Sequence, residues 1–251
     1  MAPLITARRL DVGYDSHPVL SGVDTYVAEG ASVALVGPNG GGKSTLLKTF
    51  AGLIAPRGGG LEVLGGGARK ASAGVAYLGQ YHRNGMTLPI RAIDVVRMAR
   101  FDQRSRFSRR NAIDDECVAT AMEAMGITDL SNLPMRDLSG GQQQRVFIAQ
   151  VLARRARLLL LDEPANALDS VGRAAYTKAL SEERARGAGV VIATHDIAEA
   201  ATCDRVLLVG GQLVADGPPS VVLTPDLLME TFGIGMARVG DRLVITEHHH
   251  H

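Results

Sequence analysis

Residues 37–45 read Gly-Pro-Asn-Gly-Gly-Gly-Lys-Ser-Thr, a glycine-rich run ending in a cation and two hydroxyls. Gly37, Gly40, Gly41 and Gly42 let successive backbone N–H groups curl around an anion, where a Cβ would crowd the approach. Pro38 and Asn39 complete the turn. Lys43 can reach the β- and γ-phosphates of a nucleotide, and the Ser44 hydroxyl, beside Thr45, can ligate Mg²⁺. Asp162 and Glu163 follow four leucines, so two carboxylates sit at the carboxyl end of a buried strand, where open α/β sheets bind ligands. His195, between Thr194 and Asp196, ends another such run.

Hydrophobic patterning supplies the elements that must position these groups. Val33, Ala34, Leu35 and Val36 form a buried strand feeding the loop, and Leu46, Leu47 and Phe50 continue it as a helix. The free N–H groups and dipole of that helix favour an anion at its start. Runs 158–161 and 190–193 read as buried strands on either side of a helix over 170–186. The opening, 4–14, is a strand, and 19–27 is a second, turned at Glu29 and Gly30. Pro56 to Gly60 breaks the chain, after which 61–64 and 75–78 are short strands around Gly65, Gly66 and Gly67. From Leu88 to about Gln150 the period is helical: Ile93 with Val96, Val95 with Met98, and Ile113, Cys117, Ala121 and Met125 each share a face. Ser139 starts a further helix that runs to Arg155. Two last strands, 206–209 and 213–214, are ended by Asp216, Gly217, Pro218 and Pro219. A helix over about 221–232 and a terminal hairpin complete the chain.

Composition narrows the class. A chain of 251 residues can bury one large core or two modest ones. A net charge of +1 argues against a dominant nucleic-acid surface. Cys117 and Cys203 form no Cys-x-x-Cys pair and read as reduced thiols. No apolar run approaches the ~18 residues needed to cross a bilayer, and Arg8, Arg9 and Asp11 interrupt any signal-peptide pattern. His248 to His251 read as an expression tag, with Glu247 as its scar. The remaining His17, His82 and His195 make no ligand cluster with zinc-site spacing. Arg97, Arg100, Arg104, Arg106, Arg109 and Arg110 read as a solvated basic face, with a partner protein or anionic lipid as the sharper alternative.

Leu138, Ser139, Gly140, Gly141 and Gln142 place a hydroxyl and bare N–H groups at a helix start, a second anion cradle. A serine N-cap is the plainer reading, and the run Gly-Gly-Gln-Gln-Gln is expected to add nothing to a cap. This run resembles the signature of ABC-type ATPases, and other motifs of that family appear in the expected order over roughly residues 4–235. The resemblance implies an α/β fold: a P-loop NTPase (ABC ATPase) core with an antiparallel β subdomain and an inserted α-helical subdomain. The expected layout is one ATPase domain over 1–235, a helical insert at about 85–155, a C-terminal extension over 236–246, and a tag or scar over 247–251.

The resemblance also implies roles. Asp162 matches the aspartate that holds Mg²⁺ through its water shell, and Glu163 the glutamate that polarises the attacking water. His195 matches the histidine that bonds the γ-phosphate and orients that water. Gln80 would offer its amide oxygen to Mg²⁺ or the water, although Gly79 stands where relatives often have proline. Tyr14 would stack on adenine. In the family the signature binds the γ-phosphate held by the P-loop of the opposite subunit, so two chains pack head to tail around two ATP molecules. Ala165, Asn166, Ala167, Leu168 and Asp169 look like the loop that crosses this interface.

The function implied is the ATPase subunit of an ABC transporter, with ATP and Mg²⁺ as cofactors. Its partners would be a second copy of itself, separate transmembrane permease subunits and, indirectly, an extracytoplasmic substrate-binding protein, with no nucleic acid. It would sit in the cytoplasm, peripheral on the inner face of the membrane. Residues 86–100, with Pro89, Asp94, Val95, Val96, Met98 and Arg100, are similar to the zinc/manganese-type importer ATPases, with Ala99 in place of the usual glycine. Iron-chelate and cobalamin importers look alike in this stretch, and an exporter is a further alternative. A soluble ABC ATPase acting on nucleic acid or ribosomes is the rival from another class. Its usual second cassette or long coiled coil is missing from the sequence.

Overall fold

The computed structural model describes residues 3–14, 17–69, 71–80, 89–101, 112–239 and 242–247. β3 (Ser32–Val36), β6 (Leu158–Asp162) and β7 (Gly189–Ala193) are buried along their whole length. Strands covered on both faces need no polar alternation, which is why they read as unbroken apolar runs. With β5 (Val75–Leu78), β8 (Arg205–Val209) and β9 (Leu213–Gly217) they form a sheet ordered β5-β6-β7-β3-β8-β9. Every pairing is parallel except β8 with β9.

Alternate side chains of this sheet serve separate cores, as the pleat requires. Ala34, Val36, Leu159, Leu161, Val190 and Ile192 face a cluster shared with α2 (Ala92–Met98), α3 (Ala112–Ala124), α4 (Gly140–Ala153) and α5 (Ser170–Ala185). Val33, Leu35, Leu158, Leu160, Val191 and Ala193 face the other. That second cluster is closed by α1 (Lys43–Phe50) and by an antiparallel sheet, β2 (His17–Val27), β1 (Ile5–Tyr14) and β4 (Gly58–Val63). Truncating one of these buried leucines to alanine costs about 2–5 kcal/mol.

The parallel strands deliver their chemistry to one edge. β3 runs into residues 37–45, β6 ends on Asp162, β7 ends before Thr194 and His195, and β5 ends two residues before Gln80. Because β5, β6, β7 and β3 are neighbours, groups far apart along the chain meet outside their carboxyl ends.

Four expectations are corrected. Gly58, Gly59 and Gly60 do not break the chain but open β4, paired to β1 as Arg8↔Gly60 and Asp11↔Gly58. A Cβ on Gly59 would lie 2.0 Å from the Arg9 carbonyl oxygen, so the glycine marks close strand approach rather than a turn. The helix expected over 221–232 is two, α7 (Pro219–Val222) and α8 (Pro225–Phe232). Pro225 lacks an N–H and pushes Thr224 into an extended conformation, ψ 150, from which Thr224 caps α8. On α3, Ile113 is 64% exposed, while Asp114 turns inward to pair with Arg100 at 2.8 Å. Of the arginines expected on a solvated basic face, Arg97 and Arg100 are instead paired and largely covered. Arg100 also donates to the Ala153 and Arg154 carbonyls, and Arg97 pairs with Asp94. Arg104, Arg106, Arg109, Arg110, His82 and residues 86–88 lie outside the described residues. β10 (Ile234–Val239) and β11 (Arg242–Glu247) form the terminal hairpin.

Candidate functional site

The loop between β3 and α1 is shaped by its neighbours. A Cβ on Gly37 would lie 1.9 Å from the carbonyl oxygen of Val209, so β8 supports the loop from behind and only glycine fits. Gly42 precedes α1 without any side-chain cap, leaving the first-turn amides free for a ligand. Lys43 is buried, and its Nζ donates to the carbonyls of Gly37 at 2.7 Å and Pro38 at 3.0 Å. It therefore pins the loop from within, and a third donor remains for a phosphate. Burial holds its ammonium below the ordinary lysine range, with Glu163 and Asp162 opposing.

Beside the loop stand the two carboxylates. Asp162 is 2% exposed, and the Ser44 hydroxyl donates to it. Its Oδ1 is buried without a hydrogen-bond partner among the described residues. Burial raises its pKa above the usual carboxylate range, and the Ser44 bond works against this. An orphaned buried carboxylate oxygen next to a hydroxyl is a donor set suited to a small hard cation.

Glu163 holds a left-handed backbone, φ 50, sparsely populated for a residue with a Cβ. Its N–H donates to the Ala193 carbonyl at 2.9 Å, which ties it to the end of β7. Its Oε2 accepts from Gln80 Nε2 at 3.0 Å and from Asn166 Nδ2. Its Oε1 lies 3.8 Å from Nδ1 of the exposed His195, beyond direct hydrogen bonding. Residues 37–45, Gln80, Glu163 and His195 thus line one open cavity of about 600 Å³, joined by Phe232 from the end of α8. Asp162 lies beneath this surface. Tyr14 is half-exposed and does not line the cavity.

Sequence reasoning placed Asn166 in the interface loop but missed its contact with Glu163, and it missed Phe232 altogether. The Asn166 amide reaches Glu163, and its signal was present, since they stand three positions apart and a tight turn closes that gap (Asn166 N–H to Glu163 O, 3.4 Å). Phe232 carried no such signal.

Ser139 caps α4, as the plainer reading expected, and the cap is reciprocal. Ser139 Oγ accepts from the Gln142 N–H at 3.3 Å, and Gln142 Oε1 accepts from the Ser139 N–H at 2.8 Å, a reciprocal capping box. Gln143 donates to the Met135 and Leu138 carbonyls, and Gln144 donates to the Pro164 carbonyl at 2.8 Å. All three glutamines therefore serve the fold, and Gln142 adds to the cap where the run was expected to add nothing. Leu138 turns its side chain into the core. Ser139, Gly141 and Gln142, with Ala167 and Asp169, line a second cavity of about 410 Å³ that shares no residue with the first. Asp169 caps α5 through the Gly172 N–H and pairs with Arg145.

A family model described as "ABC transporter" matches residues 20–166, from β2 through the loop, Gln80 and the signature to Asn166. The chain belongs to the ABC transporter family. It is an ATP-binding, ATP-hydrolysing subunit of such a transporter. Among relatives of this ABC ATPase, the manganese transport system ATP-binding protein MntB of Halalkalibacterium halodurans is 33% identical over 92% of this chain and 93% of its own length. The zinc import ATP-binding protein ZnuC of Ruegeria pomeroyi is 36% identical, covering 93% and 85%. The hemin import ATP-binding protein HmuV of Nocardia farcinica is 43% identical, covering 91% and 80%. In three dimensions, cbiO1 from Clostridium perfringens, part of the ABC transporter complex cbiONQ, superposes with a TM-score of 0.76 at 26% identity, covering 92% and 94%. The ABC ATPase assignment explains why one edge of the sheet gathers so many unrelated sequence positions.

Proposed function

We propose that this ABC ATPase grips Mg·ATP between two copies of itself, each P-loop cavity facing the Ser139 cradle of the other. The observation that supports this most is that the two cavities of one chain share no lining residue. One chain carries half of each of two sites, an arrangement suited to a two-fold pair. On this reading residues 37–45 cradle the β- and γ-phosphates, Lys43 adds charge, and Tyr14 stacks on adenine from outside the phosphate cavity. Ser44, Asp162 and the amide oxygen of Gln80 would hold Mg²⁺, which would neutralise charge developing on the phosphates. Glu163 takes the proton of the attacking water, and His195, on the same rim, orients that water. Ser139, Gly140, Gly141 and Gln142 offer hydroxyl and amide donors to the partner's phosphate, and residues 165–169 lie along the join.

The subunit would work on separate membrane partners. No helix among the described residues is long and apolar enough to cross a membrane. Permease subunits would carry the path, with the ATPase peripheral on the cytoplasmic side and a binding protein selecting cargo outside. Manganese and zinc systems recur among the relatives, which supports uptake of a divalent metal ion. The 43% identity to a hemin importer favours a metal chelate as the second reading. Uptake of labelled zinc, manganese and hemin by cells with and without this chain separates the two.

Glu163→Gln tests the catalytic reading. ATP binding should persist while hydrolysis falls about 10²–10⁴-fold, and a closed dimer should accumulate on a sizing column. Turnover at the parent rate would remove Glu163 from the role of base.

A further inference from the structure

Phe232 is the last residue of α8, far from every motif that brought this chain into its family, yet it lines the P-loop cavity. Its position follows from firm anchors. Leu227, Leu228 and Phe232 pack against the helical-side core, and Pro225 with the Thr224 cap fixes where α8 begins. Thr231 lies over Gly210, where an added Cβ would come within 3.3 Å of Thr231 Cγ2. Gly210 sits between Val209, which supports Gly37, and Gly211, whose N–H points at the Gly41 carbonyl at 3.4 Å. The end of α8 and the phosphate loop therefore rest on the same short turn after β8. Gly233, at φ 64, then carries the chain away and leaves the ring at the helix end.

The ring is chemically out of place among loop amides, Lys43, Gln80, Glu163 and His195. An aromatic there displaces water from one wall of the cavity, and its electropositive edge tolerates an anion beside it. Lower local polarity strengthens the remaining charge interactions. We propose that Phe232 is a nucleotide-binding residue, the apolar wall against which ATP lies on the P-loop, so that α8 belongs to the nucleotide site. This rests on the reading of the cavity as the ATP site.

The chain contains no tryptophan, so Phe232→Trp gives a single tryptophan in the full-length protein, excited selectively at wavelengths where the five tyrosines do not absorb. Its emission should change on adding Mg·ATP and saturate at the concentration that half-saturates binding of labelled ATP in equilibrium dialysis. Val221→Trp, at a position 61% exposed on α7, should not respond. Phe232→Ala should weaken ATP binding about three- to tenfold while still melting cooperatively, and Phe232→Leu, which keeps the packing, should melt near the parent and restore most of the affinity. If dialysis finds ATP bound while the emission of the Phe232→Trp protein stays flat, or Phe232→Ala binds like the parent, the inference is wrong and the P-loop reading stands. If the parent binds no ATP at all, both fall.

Discussion

The side-chain amide of Gln80 donates to Glu163 Oε2 at 3.0 Å, joining the end of β5 to the end of β6 across 83 residues of sequence. The same oxygen accepts from Asn166, so two neutral amides fix one carboxylate and leave Oε1 to face the cavity. Asn166→Asp sets a second carboxylate against Glu163, and like charges at that range favour protonating one of them. Steady-state hydrolysis should drop about tenfold or more with the KM for ATP little changed. Asn166→Ala should fall between that variant and the parent, and equal rates for all three would mean that Asn166 does not position the base.

The capping box at Ser139 allows stability and chemistry to be pulled apart. Ser139→Ala removes the acceptor for the Gln142 N–H and should lower stability by about 0.5–2 kcal/mol in urea unfolding. Ser139→Asp keeps an acceptor, so it should melt near the parent temperature. Its negative charge would meet the partner's phosphate, and hydrolysis should collapse. An active Ser139→Asp enzyme would argue against the cradle.

Composite sites make a prediction about mixtures. Lys43→Ala and Ser139→Arg should each be inactive alone. Mixed, the proposed head-to-tail pairs would include heterodimers in which both lesions fall in one site and the other is complete. Activity should therefore reappear on mixing, measured as phosphate release across a titration of one variant into the other. No recovery at any ratio would count against head-to-tail sharing.

The two thiols give a check on burial. Cys203 is 7% exposed, and burial pushes its pKa up to about 11, so almost none is thiolate at a pH of about 8. Cys117 is likewise buried. At that pH a disulfide reagent should label neither in the native protein and both after denaturation. Rapid native labelling of Cys203 would mean that its site opens readily.

What could be read from the sequence follows from how local the signals are. Residues 37–45, 138–142 and 158–163 each specify backbone shape and chemistry within a few positions, so their placement at strand and helix ends was legible. Most of the failures involve partners distant in sequence, although the Asn166–Glu163 contact and the Ser139–Gln142 box are local. Gly59 looks like a chain break until β1 is seen pressing on it. Ile113 looks buried until Arg100, outside α3, draws Asp114 inward instead. Gln144 looks idle until the Pro164 carbonyl is in view. Phe232 reaches the cavity only because α8 lands on the turn after β8, which no nearby residue announces.

Helix α4 starts at Ser139, and one turn later Gln144 holds the carbonyl of Pro164, the residue after Glu163. In a closed pair, the near end of that helix would feel the neighbour's phosphate while this amide grips the backbone next to the chain's own carboxylate. If the pair forms as proposed, the Pro164 carbonyl would link the end of α4 that meets the neighbour's nucleotide to the loop carrying this chain's own Glu163.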